Sequence, residues 1–517
     1  MTSITPPSEV GVDRISRAKL FDFSPMMVRI LTAWIVIVAV LSFVTVPWLA
    51  PGANGDLTAP LIWFYHALML PVALLFLILC TRVFVFHSWV KYIVSHSALI
   101  ALFEGIGFLI LGYGTLHHVA SLTAFGFWVI MPATLELTAV TILFVVDLAY
   151  SALIPPHGQS MPPQKAEITW VFFFAGVSVI TWVVFGLAAA ASQVGISWSF
   201  WAGAQHESTS ALMGNIITSH SHGMLPSFMA AIVLLAAEAF GYSRLTGVRK
   251  QVARGGVGAM LGGIGLYSGI YAVSGVGTFV IPAWFPSGPG GVNGLAMDDT
   301  MTGLVGLGSL VLAAAMLPEL RDSFLRLSGT AMRRLNPVRL GVYLTYLMAT
   351  AALLIYGYYI EMNESRFGFA ATLSASHVID DQIFTRSHLL FVFGSLPIIA
   401  VFLLAAELCG GDVSKAGVTL RQWMARLIIA GMVVTLIGMG LWVFSTPGHQ
   451  ANWAPNSLGE ILYILGQGLM LVGAVIELFT PPAPRTEEVI KSEFAPPQMT
   501  DDGGQAIVSM GGQRTPG

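Results

Sequence analysis

Hydrophobic positions come in long unbroken blocks, not in the alternation of a half-buried strand or the narrow stripe of a surface helix. Crossing a bilayer core as a helix takes about 20 apolar residues. Such stretches lie at 27–49, 59–80, 94–116, 122–152, 168–193, 211–240, 256–282, 298–318, 339–360, 387–408, 423–445 and 457–479. The pattern predicts an all-α polytopic membrane protein with twelve transmembrane helices in residues 27–480. The polar opening segment, residues 1–26, is expected to be a cytoplasmic arm, because no small-residue cleavage site follows the first apolar run. Residues 481–517, rich in Pro, Gly and charge, are expected to form a disordered cytoplasmic tail.

Composition sharpens this reading. Hydrophobic residues make up 55% of the 517 and charged residues only 10%, against about 25% charged in soluble domains. A cytosolic globule is thereby excluded. The net charge of −3 leaves no basic surface for nucleic acid. Two cysteines, Cys80 and Cys409, exclude a disulfide framework, a four-thiolate cluster and a covalent haem attachment motif. Lys and Arg fix the expected orientation: of 24, all but Arg366 and Arg386 fall in segments on one side of a twelve-span topology. By the positive-inside rule that side is cytoplasmic and holds both termini, as in a bacterial-type inner membrane.

Twelve histidines carry the candidate chemistry. On this topology six of them are expected near the outer face. His66 lies early in the second span, His117 and His118 end the third, His220 and His222 lie in the outer half of the sixth, and His388 opens the tenth. Ionisable groups inside a membrane are costly and usually functional. Two residues along a helix is about 200° of rotation, so His220 and His222 point to opposite sides and suit two different metals. Adjacent His117 and His118 suit one ion if the helix unwinds there. Neutral imidazole ligates copper, iron and zinc. The other histidines, His87, His96, His157, His206, His377 and His449, are expected to serve ordinary surface or turn roles, with His206 and His449 on the outer side.

A weak internal repeat accompanies these residues. The second span reads YHALMLPVALLFLIL, the sixth SHGMLPSFMAAIVLLAAE and the tenth SHLLFVFGSLPIIAVFLLAAE. Each has a histidine at its start, a proline after it and an apolar run, recurring every four spans. This predicts three pseudo-symmetric arcs of four helices.

With these residues in place, the chain resembles the catalytic subunit of the haem–copper oxygen and nitric-oxide reductases. That family has twelve helices in three arcs, with a single His on the second helix, a single His on the sixth, His-His on the seventh and His-x-His on the tenth. The order here matches once the family's first four helices are moved to the end, so the resemblance is to a circularly permuted member. It implies two haems and one non-haem metal, copper or iron. Position by position, His220 would ligate a high-spin haem, His222 and His388 a low-spin haem, and His66, His117 and His118 the third metal. TSHSHGMLPS resembles the His-x-His helix of the nitric-oxide reductases and C-type oxidases, and TRSHLLF their low-spin haem entry, which casts Arg386 as a haem-propionate partner. Leu70 stands where oxygen reductases often carry a tyrosine and nitric-oxide reductases a glutamate.

Such chemistry consumes protons. Glu136, in MPATLELTAV, resembles a glutamate near the nitric-oxide reductase site, and Glu104 lies 13 residues before His117. Both are expected to relay protons. The resemblance implies reduction of nitric oxide to nitrous oxide, with reduction of oxygen to water as the alternative. A cytochrome c or cupredoxin-like subunit on the outer face would donate electrons, and the lipid bilayer and a small gas are the other partners. A reading of another class is a twelve-helix transition-metal transporter. It would place ligands near the midplane, whereas these histidines are expected in the outer half.

Overall fold

The computed structural model describes residues 24–39, 58–154, 163–192, 209–266, 303–318, 401, 415–445 and 458–480. Among the described residues the regular elements are all helical. They are α1 (Ser24–Ala39), α2 (Thr58–Val83), α3 (Ser88–His96), α4 (Ala98–Leu116), α5 (Ala120–Leu153), α6 (Pro163–Ser192), α7 (Thr209–Ala239), α8 (Gly247–Leu266), α9 (Gly303–Pro318), α10 (Lys415–Ser445) and α11 (Leu458–Phe479). Among the described residues five stretches are long and apolar enough to cross a membrane: Trp63–Val83, Ser88–Leu116, Ala120–Leu153, Lys165–Leu187 and Gly417–Gly438. The predicted spans at 339–360 and 387–408, apart from Val401, lie outside the described residues, as do most of the N-terminal arm and the tail from Pro481.

The third predicted span starts earlier than its apolar core suggests. Ser97 joins α3 to α4 with right-handed helical backbone, φ −63° and ψ −11°, and its N–H donates to the Ile93 carbonyl at 2.9 Å. The chain therefore runs helically from Ser88 to Leu116, 29 residues in all. At 1.5 Å per residue that is about 43 Å, longer than the roughly 30 Å hydrocarbon core.

Helix α2 is the core of the described bundle. Ala67, Leu68, Val72, Leu75, Ile78 and Leu79 on it are wholly buried, with α4, α1, α3 and α7 packed around it. Helix α5 instead buries one face, through Ile130, Phe144 and Leu148, and exposes Trp128, Leu135, Val146 and Leu153 on the other. An apolar outer face is expected where lipid is the solvent, because no hydrophobic force drives those side chains inward. Pro71, Pro132 and Pro226 all lie inside helices, a placement that membrane helices tolerate. Helices α10 and α11 pair with each other, and α11 also packs on α1. The last described helix thus lies beside the first.

A polar clamp ties the ends of α6, α7 and α8. Arg254 donates through Nε and Nη2 to the Glu167 carboxylate at 2.8–3.0 Å, and the Tyr242 hydroxyl donates to Glu167 Oε1 at 2.9 Å. The Lys250 ammonium lies 3.6 Å from the centre of the Tyr242 ring. Burial, reinforced by the bond to Glu167, pushes the Tyr242 phenol above its ordinary range, and burial pulls Lys250 below its own. This clamp fixes the register of α6 against α7, where the candidate site lies.

The contrast between α2 and the outer face of α5 is testable. Leu75→Ala is expected to cost about 2–4 kcal/mol through the cavity it leaves, and Val146→Ala no more than about 0.5 kcal/mol. Thermal unfolding of the detergent-solubilised protein checks both.

Candidate functional site

Helices α6 and α7 interlock through two glycines. A Cβ on Gly223 would strike the Trp182 indole, and a Cβ on Gly186 would strike the His220 ring. Each helix therefore offers a gap that the other's large ring fills. One turn farther along, the Ser178 and Ser227 hydroxyls share a hydrogen bond of 2.8 Å, and Ser227 also donates to the Gly223 carbonyl. Within this lock His220 Nδ1–H donates to the Trp182 carbonyl at 2.7 Å. A helical carbonyl keeps a second lone pair for such a bond, and Gly186, one turn on, has no side chain to cover it. Because a carbonyl only accepts, Nδ1 carries the proton and Nε2 is the ring's lone-pair nitrogen. This is how metal-ligating histidines are commonly oriented.

Across from it, on α2, lies His66. The two ring centroids are 6.0 Å apart and the planes agree within 7°. His66 is walled by Phe108 of α4, with centroids 5.1 Å apart, and by Trp63 and Tyr65, each at 6.0 Å. The structure thus brings together two of the predicted site residues, from the second and sixth predicted spans.

Below His66 an apolar cavity opens between α2, α5, α6 and α7, lined by Leu70, Leu74, Leu137, Phe172, Ile180 and Phe228 among others. Glu104 of α4 reaches its wall and is wholly buried. The Thr134 hydroxyl of α5 donates to Glu104 Oε1, while Oε2 has no hydrogen-bond partner among the described residues. Thr138 and Thr141 continue the Thr134 side of α5 along the same cavity, each donating to a carbonyl one turn back.

The other predicted site residues are arranged differently. His117 and His118 are exposed, and the structure does not bring them together with His66 and His220. Phe108, which packs on His66, precedes His117 by nine residues, so the pair stands about 14 Å farther along the helix axis. The helix does unwind at this point, as the sequence suggests it can. His118 takes a left-handed backbone, φ 55°, its N–H donates to the Thr115 carbonyl at 3.3 Å, and the Val119 N–H donates to Gly114 at 2.8 Å. That pattern closes a helix C-terminus, usually with Gly in the place of His118. Among the described residues no group of three or more His, Cys, Asp or Glu side chains converges as a metal site. His66, His117 and His118 therefore do not fit a shared ion here.

Glu136 is exposed on α5. It follows Thr134 by two residues, about 200° round the helix, so it turns away from Glu104 and the cavity. His222 lies on α7 two residues beyond His220, with its side chain outside what is described; Arg386 and His388 lie outside the described residues.

Sequence reasoning missed the partners that position these groups. Trp182, Gly186 and Thr134 left a usable signal only in pairwise spacing: Gly186 follows Trp182 by one turn, and Gly223 follows His220 by nearly one. Sequence reasoning gave His87 an ordinary surface or turn role, and it does lie, partly exposed, in the turn between α2 and α3. There it is joined to buried Asp147, through Nδ1 at 2.6 Å and through its backbone N–H at 2.9 Å.

Two substitutions probe this geometry. Gly186→Ala is expected to lower stability by about 1–3 kcal/mol by pushing the His220 ring off its carbonyl. His118→Gly is expected to raise it by about 0.5–1 kcal/mol by relieving the left-handed backbone. Thermal unfolding measures both. No family model, curated protein or solved structure matches this chain.

Proposed function

We propose that the chain is a membrane-bound haem oxidoreductase that reduces nitric oxide to nitrous oxide, organised like a haem–copper reductase with permuted helix order. The observation that carries this reading is the facing pair of His66 and His220, with the His220 tautomer set by the Trp182 carbonyl. Imidazole oriented in this way is a fitting axial ligand for haem iron. The packing of α11 on α1 meets a condition that any closed ring of helices sets, permuted or not. A closed ring whose chain starts four helices along needs its last helix beside its first.

In this reading His220 would hold the haem at which the gas is reduced. His222 and His388 would hold a second, low-spin haem, and Arg386 would neutralise a propionate. When bound, these groups supply one-electron transfer and a site for the gas. The third metal, copper or iron, is proposed without a step, because His66, His117 and His118 do not converge on one ion.

The reaction joins two nitric oxide molecules with two electrons and two protons to give nitrous oxide and water. Glu104 is the proton-carrying residue beside the pair: it is buried, half-satisfied by Thr134, and open to the cavity that His66 lines. A neutral carboxylic acid is the form such an apolar site holds at least cost. Apolar lining suits passage of a small uncharged gas. A cytochrome c or cupredoxin-like subunit on the outer face supplies electrons, in a bacterial-type inner membrane with both termini cytoplasmic.

A reduced-minus-oxidised optical spectrum of the purified protein tests the proposal. Haem absorbance is expected, and His222→Ala or His388→Ala should remove the low-spin component. A protein without haem absorbance would end the reading. Turnover of oxygen but not nitric oxide by the purified protein would keep the haem reading and change the substrate.

A further inference from the structure

We propose that the cavity between α2, α5, α6 and α7 binds a small, neutral, lipid-soluble molecule with one carbonyl-type hydrogen-bond acceptor, and that Glu104 is the donor that holds it. The inference goes beyond the reading above and requires neither haem nor metal.

Size and lining set the body of the ligand. The cavity holds about 140 Å³, and its walls are almost wholly apolar, with Leu74, Phe172 and Phe228 among them. A cavity of about 150 Å³ lined by Leu, Ile and Phe stays dry and takes up a benzene-sized molecule. Water is a poor occupant, because an ordered water needs about two to four polar partners. The threonines on the wall have no proton to offer. Thr134 donates to Glu104 Oε1, Thr138 to the Thr134 carbonyl and Thr141 to the Leu137 carbonyl. A hydroxyl has a single proton, so all three are spent.

Glu104 sets the polar group. Its Oε1 accepts from Thr134, and its Oε2 has no hydrogen-bond partner among the described residues. The buried carboxyl is held at least cost as the neutral acid. Oε1 is then its carbonyl oxygen, and the proton sits on Oε2 as a donor without an acceptor. A ketone or similar carbonyl oxygen accepts that proton and brings no donor of its own to be satisfied. A charged ligand would give up its hydration to walls that return almost nothing.

The route in selects for the same chemistry. Thr138 and Thr141 of α5 and Val179 of α6 line the cavity and are partly exposed. Leu135 and Ile142 on α5 and Val177 and Val184 on α6 are exposed as well, so this wall borders lipid. A ligand arriving through it comes from the bilayer.

The test uses the full-length chain purified into lipid nanodiscs. Ligand-detected nuclear magnetic resonance follows its titration with cyclohexanone and with methylcyclohexane, against empty nanodiscs. The two probes match in size and differ in the acceptor. Both should bind saturably, and Ala73→Phe, which fills the cavity from α2, should abolish both. Glu104→Leu should still bind methylcyclohexane, which shows that the variant folds. Its affinity for cyclohexanone relative to methylcyclohexane should fall at least about fivefold. Glu104→Gln keeps an N–H donor at the same place, and its ratio should stay within about twofold of the native one. Infrared difference spectra, with minus without cyclohexanone, should show a shifted carboxylic-acid carbonyl band that both Glu104 variants remove. An unchanged ratio in Glu104→Leu, saturable binding that ignores Ala73→Phe, or no saturable cyclohexanone binding overturns the proposal. None of these readouts involves haem, so the reductase reading stands or falls separately on its own spectrum.

Discussion

His220 Nδ1–H donates to the carbonyl of Trp182, and that bond exists because α6 and α7 come close enough for each to lodge a ring in the other's gap. In water a side chain–backbone hydrogen bond contributes only about 0.5–1.5 kcal/mol net. Inside a bundle its larger effect is on identity: it decides which nitrogen of His220 holds the proton and which keeps its lone pair. Trp182 must be wholly buried for its carbonyl to lie under the imidazole, and it is. Gly223 must lack a side chain for Trp182 to bury, and Gly186 must lack one for His220 to reach. Four residues on two helices thus form one unit.

That unit sits where lipid sets the rules. Because every backbone group has to be satisfied within the helices, the apolar blocks along the chain could be read directly as helices. The block at 59–80 became α2 at 58–83, and that at 122–152 became α5 at 120–153. Depth was harder to read. A single histidine layer requires each span to carry its histidine at the same membrane level. The third span ends at Leu116 as its apolar block suggests, but its register against α2 sets Phe108 beside His66, so the histidines at its end stand about 14 Å beyond that level. Hydrophobicity marks where a helix passes through lipid but says little about how far it projects.

Facing was the second thing the sequence hid. His66 and His220 are both candidate ligands by residue type, yet nothing in their spacing shows that their rings meet. That follows from Phe108, Trp182 and Gly186, which carry no functional signature of their own. Glu136 shows the converse. Its Leu-Glu context drew attention, while the residue two positions earlier, Thr134, is the one turned toward the cavity.

The two buried carboxyl groups show how partners sort structure from chemistry. Asp147 receives both the backbone N–H and the ring nitrogen of His87. Both of its oxygens are engaged by one residue, and together they pin the α2–α3 corner to the end of α5. A group so fully satisfied has little to offer a reaction, because any proton it moved would break the corner it holds. Glu104 is as deeply buried but has one oxygen bound by Thr134 and the other without a hydrogen-bond partner among the described residues, at the wall of an apolar cavity that His66 also lines. Leaving half of a buried carboxyl unsatisfied costs stability, and a leucine in its place would not incur that cost. The cavity that His66 lines is therefore one place in the described bundle where stability has been given up, which is the physical ground for putting the chemistry there.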